Sequence, residues 1–348
     1  MAANSATRTT RTRKSAKAPV ATAVKPRSNG AARIAKAGSL ARATDVAPFV
    51  ASAGARLRVN KAYKMYVGGA FVRSESGRCF QVRAGGLASS ADPDLVNVPR
   101  GSRKDARDAV LAAKYAESGW AARTPFNRGQ ILYRLAEVLE SRREELHASL
   151  VRGGESDEAA SREVDVAIDR AVYYAGFADK FHSLVASHNP VSGPHFGFTL
   201  PEPMGIVAII APERPILAGL VSTILPVIAG GNTAVVVAST RDPRTAVVFC
   251  ECLATSDLPG GVVNVLTGEA REMAPHLAKH REVVAIDAWI ADADLRTSLE
   301  RDGSGSVKRV KTHDAAAARR MLDVRKGQGI AWIERFLEMK TVWHPVGV

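Results

Sequence analysis

The chain has 348 residues, of which 46% are hydrophobic, so it can bury one large core or two ordinary ones, and a wholly disordered protein is excluded. No apolar run reaches the ~18 residues that a membrane-spanning helix needs, and Cys79, Cys250 and Cys252 form no disulfide framework, which favours a cytoplasmic location without membrane contact. Of the net charge of +13, residues 1–60 carry +11 and the other 288 residues only +2, so the pI of about 9.9 says little about the body.

Residues 1–60 are predicted to be a disordered basic tail. They hold twelve Lys or Arg and one acid, Asp45, and they have almost no large apolar side chains before Val20, so burial cannot repay chain ordering. Three functional interpretations stay open: nonspecific polyanion or nucleic-acid contact, an organellar transit peptide, and a solvating or partner-binding arm. The missing apolar face over residues 1–19 counts against a transit peptide, and no apolar segment supports a secretory signal.

The body begins with a predicted hairpin and a helical arm. Tyr66–Val72 and Cys79–Val82 are predicted to pair as the two sides of a β-hairpin with a glycine-containing turn. Ser102 is a good N-cap for a helix over Arg103–Glu117. A second helix is expected to begin near Asn127, and a third to span Asp157–Phe181, because apolar residues recur there at helical spacing.

Strands and helices alternate from residue 206 onward. The all-apolar run Ile206–Ala211 is typical of a parallel strand buried on both faces. Repeated βα units of this length predict an α/β fold built on a doubly wound parallel sheet covered by helices. The predicted elements are strands at Ile206–Ala211, Thr233–Ala238, Val262–Leu266 and Val283–Trp289, and helices at Ile216–Ala229, Pro243–Thr255 and Glu269–His280.

Ligands on such sheets bind at the carboxyl ends of the strands. The loops to consider are therefore Pro212–Pro215, Ser239–Arg241 and Thr267–Glu269. No G-x-G-x-x-G fingerprint is present, so periodicity alone does not identify a dinucleotide site.

Three segments carry a family resemblance: Glu-Pro-Met-Gly-Ile-Val-Ala-Ile-Ile-Ala-Pro from Glu202, Ala-Gly-Gly-Asn-Thr-Ala-Val-Val from Ala229, and Leu-Pro-Gly-Gly-Val-Val-Asn-Val-Leu-Thr-Gly from Leu258. In this order they resemble the cofactor-binding core of the aldehyde dehydrogenase superfamily. The segment from Lys64 to Gly77 looks like the family's opening hairpin. Residues 337–343 are similar to its closing strand, which normally pairs across a subunit interface.

The resemblance implies NAD or NADP as cofactor, at positions that are only partly retained. The cofactor-binding positions predicted on this basis are vestigial: Ile210, Ala211, Pro212, Ser239 and Gly268.

Other family positions are changed. The family's Lys-Pro-Ser-Glu run, whose lysine and glutamate contact the ribose, is Val237-Ala238-Ser239-Thr240 here, and Ile290 stands where the family has a glycine close to the pyrophosphate. Cofactor binding is therefore doubtful by the same comparison.

The catalytic positions of the family are missing, so no catalytic residue and no metal ligand is predicted. Arg214 stands at the position of the family's oxyanion-stabilising Asn, and the guanidinium differs in reach and bulk. No cysteine follows Cys252 and no Glu-Leu-Gly-Gly motif occurs. We therefore expect residues 61–289 to form the cofactor-binding domain, residues 290–329 to be a linker in place of the catalytic domain, and residues 330–348 to form a C-terminal helix and oligomerisation strand.

Isolated candidates have ordinary explanations. Cys250 and Cys252 are two apart on a predicted helix and so face different directions, which is typical of small buried side chains. His276 and His280 have the spacing of two metal ligands on a helix, but no intervening Glu and no third ligand accompany them.

The resulting hypothesis is an inactive aldehyde dehydrogenase-like protein that pairs with itself or with a full-length dehydrogenase. Two alternatives stay open. The first is an active NAD(P)-dependent oxidoreductase that converts an aldehyde to a carboxylic acid, and the second is a module that the basic tail tethers to nucleic acid.

Overall fold

The computed structural model describes residues 59–83 and 95–347. The predicted basic tail therefore lies outside the described residues, apart from Val59 and Asn60. The polyanion and targeting interpretations of that tail remain predictions.

The strands of the main sheet are short aliphatic runs. Ile206–Ile210 and Thr233–Val237 are buried at every position, as parallel strands covered on both faces should be. The strands are β1 (Met65–Val67), β2 (Ala70–Val72), β3 (Cys79–Val82), β4 (Val96–Pro99), β5 (Ser187–Asn189), β6 (His195–Pro203), β7 (Ile206–Ile210), β8 (Thr233–Val237), β9 (Val263–Leu266), β10 (Val283–Trp289), β11 (Arg309–His313) and β12 (Leu337–Pro345).

The helices begin at recognisable caps. The Ser102 hydroxyl accepts from the Asp105 N–H and the Asp105 side chain accepts from the Ser102 N–H, which forms a capping box. Within the described ranges, no helix is both long and apolar enough to traverse a bilayer. The helices are α1 (Arg103–Ala121), α2 (Pro125–Ser141), α3 (Arg143–Arg152), α4 (Asp157–Phe177), α5 (Phe181–Val185), α6 (Leu217–Ala229), α7 (Pro243–Ala254), α8 (Ala270–Lys279), α9 (Ala293–Ser304), α10 (Ala315–Ala318) and α11 (Ile330–Glu334), with a 3₁₀ turn at Arg319–Leu322.

The main sheet has seven strands in the order β11-β10-β7-β8-β9-β1-β2. The first five run parallel, and the hairpin of β1 and β2 is attached antiparallel to β9. The fold is therefore α/β with a mixed, mainly parallel sheet, as predicted. The alternating elements predicted from residue 206 to residue 289 agree with the structure to within one residue at each end.

Alternate residues of each central strand enter different cores. Val207 and Ile209 of β7 pack with α2, α4, α6 and α7, whereas Ile206, Ala208 and Ile210 pack with α1, α8 and α9. The sheet is thus covered by helices on both faces, because side chains alternate along a strand.

The predicted hairpin is wrong in its pairing. β1 turns back at once into β2, with Tyr66 opposite Phe71, while β3 pairs with β4. Gly68 and Gly69 have φ values of +63° and +84°, which a tight two-residue turn between twisted strands requires. The glycine pair therefore closes the hairpin before Ala70, and not in the segment between Val72 and Cys79 where the turn was predicted.

The predicted linker at residues 290–329 is also wrong in its secondary structure. Residues 293–304 form α9, and residues 309–313 form β11, which extends the parallel sheet beside β10. Leu295 and Leu299 are buried against the sheet, with Asp292 capping the helix. Gly303 provides close packing here, since a Cβ at this position would lie 2.5 Å from Cγ2 of Val310. Whether the segment replaces a catalytic domain stays a prediction.

Two further elements differ in detail from expectation. The third predicted helix ends at Phe177, where Lys180 Nζ donates to the Gly176 carbonyl at 2.5 Å and closes the last turn. The closing strand β12 pairs along its whole length with β6 of the same chain, a partner that the sequence reasoning did not identify. In the three-stranded sheet β12-β6-β5, β12 is an edge strand.

Replacing Gly303 by alanine tests whether the 290–329 segment is packed. We expect Gly303→Ala to lower the free energy of unfolding by about 1–3 kcal/mol, because the new methyl group overlaps Val310. Gly305→Ala is the matched control, since a Cβ there would meet only the Asp302 carbonyl oxygen at 3.9 Å. Equal urea midpoints for the two variants would indicate a flexible linker instead.

Candidate functional site

A cavity of about 670 Å³ lies at the carboxyl ends of β7 and β10. Its walls are the β7–α6 loop at residues 212–215, the first two turns of α4, the segment from Trp289 to Ala291, and α10 with the turn after it. This is the edge at which parallel sheets bind ligands.

Arg214 lines this cavity but is engaged by a wall carboxylate. Its Nε lies 2.7 Å from Oε1 of Glu155, whose side chain is only 10% exposed. Within the part of the chain that the structure describes, Oε1 of Glu155 accepts no hydrogen bond of good geometry, so the pair is a contact between charges. The Arg214 guanidinium, at the predicted oxyanion position, is therefore held by the charge of Glu155.

Glu163 forms the floor of the cavity. Its carboxylate accepts from the backbone N–H groups of Leu217 at 2.8 Å and Ala218 at 3.2 Å, the first residues of α6. Burial raises the pKa of Glu163 to about 7, although the backbone hydrogen bonds oppose the shift, and the nearby charge of Glu155 adds to it. The group therefore titrates near neutral pH.

The Glu213 carboxylate accepts hydrogen bonds from donor groups just after the carboxyl end of β8. Its carboxylate accepts from Ser239 Oγ at 2.7 Å, from Thr240 Oγ1 at 3.0 Å and from the Arg241 N–H at 3.0 Å. The Glu213 carboxylate thus uses the hydrogen-bond donors that this loop could offer to a ligand. Sequence reasoning missed this role, and its only signal was a carboxylate beside Arg214 in a strand-end loop.

The predicted cofactor-binding residues are only partly brought together. Pro212 lines the cavity and Ser239 lies beside it through Glu213, whereas Ile210 and Ala211 are buried, at 3% and 5% exposure, beneath the loop. Gly268 does not line this cavity. It packs against Arg100–Gly101, and a Cβ there would lie 2.8 Å from the Gly101 nitrogen.

Trp289 forms one wall of the cavity, and Asp287 and His313 hold its indole ring in place. Its indole N–H donates to Oδ2 of the buried Asp287 at 2.9 Å, and its ring stacks on His313 with centroids 3.8 Å apart. Asp287 Oδ1 also lies 3.1 Å from His313 Nε2. His313 fell within the predicted linker, so this Asp–His–Trp arrangement was not anticipated.

The three thiols lie away from the cavity. Cys250 and Cys252 are buried in α7, and burial raises the pKa of Cys250 well above the ordinary thiol value and that of Cys252 to about 11. Cys79 is exposed on β3 and lines a separate depression with Tyr63 and Arg78. Among the described residues, no cysteine thiol faces the cavity beside Arg214.

Comparison with known proteins gives a consistent match. The profile of the Aldehyde dehydrogenase family matches residues 87–289. Identity is 34% over 236 residues with hydroxyisobutyraldehyde dehydrogenase of Mycolicibacterium austroafricanum, covering 68% of this chain and 45% of that protein. With an aldehyde dehydrogenase of Alternaria alternata it is 30% over 246 residues, covering 70% and 48%.

The fold agrees with a solved structure of the same kind. The crystal structure of an NAD-dependent aldehyde dehydrogenase from Sinorhizobium meliloti matches with a TM-score of 0.67 at 27% identity, covering 72% of this chain and 50% of that one. The chain therefore spans about half the length of the relatives that it matches.

Glu163 makes the stability of the chain depend on pH. Its folded-state pKa of about 7 lies above the ordinary carboxyl value, so the folded chain holds the proton more tightly. This contribution is fully present at pH values below the ordinary carboxyl pKa and is lost as the pH rises through about 7. Relative to Glu163→Gln, the wild type should lose about 1–3 kcal/mol of unfolding free energy between about pH 5 and about pH 8.

Urea unfolding at the two pH values measures this difference. Glu158→Gln is the control, since Glu158 lines the same cavity but is exposed. A wild type and a Glu163→Gln variant with parallel pH profiles would contradict the assignment.

Proposed function

This chain belongs to the aldehyde dehydrogenase family, and from that premise we propose that it does not itself oxidise aldehydes but acts as a scaffold or regulatory partner of a full-length dehydrogenase. The placement of the three thiols carries the proposal. Aldehyde oxidation through a covalent intermediate needs a reactive thiolate next to the cofactor. Cys250 and Cys252 are buried with raised pKa values, and Cys79 lines a different depression.

The residues present also fit a dinucleotide poorly. Glu213 takes the donors of Ser239, Thr240 and Arg241, which would otherwise face a ribose, and its charge repels phosphate. At the end of β10, the Trp289 indole and the nearly buried Ile290 stand where a close backbone approach would be needed. Weak binding of NAD or NADP is therefore part of the proposal.

The proposed contact with a partner chain is made by β12, at the edge of the three-stranded sheet β12-β6-β5. β12 pairs with β6 on one side, and no strand among the described residues pairs with its other edge. Met339 and Trp343 of this strand are 47% and 61% exposed. An open edge with large apolar side chains favours pairing with a second chain. We propose a homo-oligomer or a hetero-oligomer with a dehydrogenase, in the cytoplasm.

A turnover assay tests the inactive assignment. We expect the purified chain to produce no reduced cofactor above the blank from NAD or NADP with aliphatic and aromatic aldehydes. Addition of a full-length dehydrogenase should change the partner's rate without adding turnover by this chain. Turnover by the chain alone would contradict the proposal. Turnover that survives Cys79→Ala together with Cys250→Ala and Cys252→Ala would also exclude any thiol mechanism.

Removing the Glu213 carboxylate tests the explanation for weak cofactor binding. Glu213→Ala frees the Ser239, Thr240 and Arg241 donors, so we expect the affinity for NAD to rise by about three- to tenfold. Thermal shift titrations measure the change. Glu158→Ala removes the same charge from the same cavity without freeing those donors and should leave the affinity unaltered. Equal gains in both variants would point to general charge repulsion instead.

The oligomer is tested through the exposed edge. We expect the full chain to elute as a dimer or larger, and Met339→Glu with Trp343→Glu to shift it toward the monomer, because two carboxylates would be buried at the interface. Tyr115→Glu on α1, where the side chain is 79% exposed, is the control. Light scattering after gel filtration gives the mass, and a monomeric wild type without any dehydrogenase partner would oppose the proposal.

A further inference from the structure

A second concave site lies on the α1 and α8 side of the sheet. It is a groove of about 970 Å³ between the first turn of α1 and the last turn of α8 with the connection to β10. We propose that this groove binds an oligophosphate, a ligand with two or more adjacent phosphate groups. The proposal is independent of the activity proposed for the cavity beside Arg214.

Positive charge is concentrated in this groove. Residues 61–348 carry a net charge of only +2, yet five cations line the groove against two carboxylates, Glu75 and Glu282. Both carboxylates are already paired, Glu75 with Lys104 at 3.2 Å and Glu282 with Lys114 at 3.2 Å. The five lining cations are Arg103, Lys104, Arg107, Lys279 and Arg281.

Two of these arginines, Arg103 and Arg281, are available to bind an anion. Arg107 pairs with Asp108 and Lys279 with Asp302. Among the residues that the structure describes, neither Arg103 nor Arg281 forms an ion pair, for which a nitrogen–oxygen distance of 4.0 Å or less is required. They belong to different elements, α1 and the α8–β10 connection, and both line the groove. Guanidinium groups bind phosphate through paired N–H donors, and two of them from different elements in one groove suit two linked phosphates.

The helix ends support an anion in this place. α1 begins here, and its first turn lines the groove, so the positive end of its dipole lies at the groove wall, where the capping carboxylate of Asp105 offsets part of its effect. α8 ends here with carbonyl groups that would oppose an anion, but the His280 carbonyl accepts from Lys308 Nζ at 2.8 Å. The unfavourable helix end is thus partly neutralised by a buried cation.

Two histidines add a dependence on pH. Burial lowers the pKa of His276, and the charges of Arg103 and Lys279 lower it further. Burial also lowers the pKa of His280, with Lys308 lowering and Glu282 raising it. A bound oligophosphate would oppose these shifts, so it would bind together with protons. The other charged groups facing the histidines from the packed elements are Lys104, Arg107, Arg281, Glu75 and the paired Lys114 and Asp302.

Other polyanions fit the groove less well. Single-stranded nucleic acids are bound by basic grooves with aromatic side chains for base stacking. The residues that line this groove include no Phe, Tyr or Trp.

Calorimetric titration of the full chain with inorganic tripolyphosphate tests the proposal. We expect Arg103→Gln with Arg281→Gln to weaken binding by at least about tenfold. The matched control is Arg134→Gln with Arg325→Gln, two exposed arginines outside the groove, which should stay within about twofold of wild type. Residues 1–60 are present in every variant, so their charge cancels from the comparison.

Proton linkage gives a second readout. Wild type should bind more tightly at about pH 6 than at about pH 8. His276→Gln with His280→Gln should reduce that gain, while its melting temperature stays near the wild-type value. The proposal is overturned if both arginine pairs lose affinity equally or neither does. It is also overturned if a short single-stranded RNA binds more tightly than tripolyphosphate with the same dependence on Arg103 and Arg281.

Discussion

The hydrogen bonds between the Glu163 carboxylate on α4 and the start of α6 are the contact on which the cavity depends. α6 is buried along its whole length, so its first N–H groups cannot reach water, and an unpaired buried N–H group costs about 1–3 kcal/mol. Glu163 accepts from two of them. This contact joins α4 to α6, forms the floor of the cavity and places there a carboxyl group whose pKa is raised to about 7.

Buried polar side chains extend the same principle to the C-terminal segments. The Asn232 side chain accepts from the Gly205 N–H and donates to the Phe336 carbonyl, which ties the approach to β12 to the central sheet. Arg170 on α4 donates to the Met321 carbonyl at 2.8 Å and holds the turn that follows α10. The wall of the cavity formed by residues 315–322 therefore depends on contacts with α4 and α6.

The two concave sites differ in how their charges are balanced. At the cavity beside Arg214, Glu155 pairs with the Arg214 guanidinium and Glu213 accepts from Ser239, so these groups are not free to bind a ligand. In the α1 and α8 groove, the carboxylates are paired with lysines, and Arg103 and Arg281 line the groove without an ion pair to any described residue. The proposed oligophosphate site thus lies apart from the cavity beside Arg214, because function depends on local chemistry and not on the fold alone.

The sequence by itself determined the alternation of strands and helices from residue 206 to residue 289, because buried parallel strands and amphipathic helices leave strong periodic patterns. It also determined the family and the change at Arg214. Only the tertiary structure decided that Glu213 fills the donors of the β8 loop and that Asp287, Trp289 and His313 meet. It likewise decided that residues 290–329 fold onto the sheet. Apart from the local Asp287–Trp289 hydrogen bond, these contacts join residues on different elements, and no local pattern records which distant partner a side chain will find.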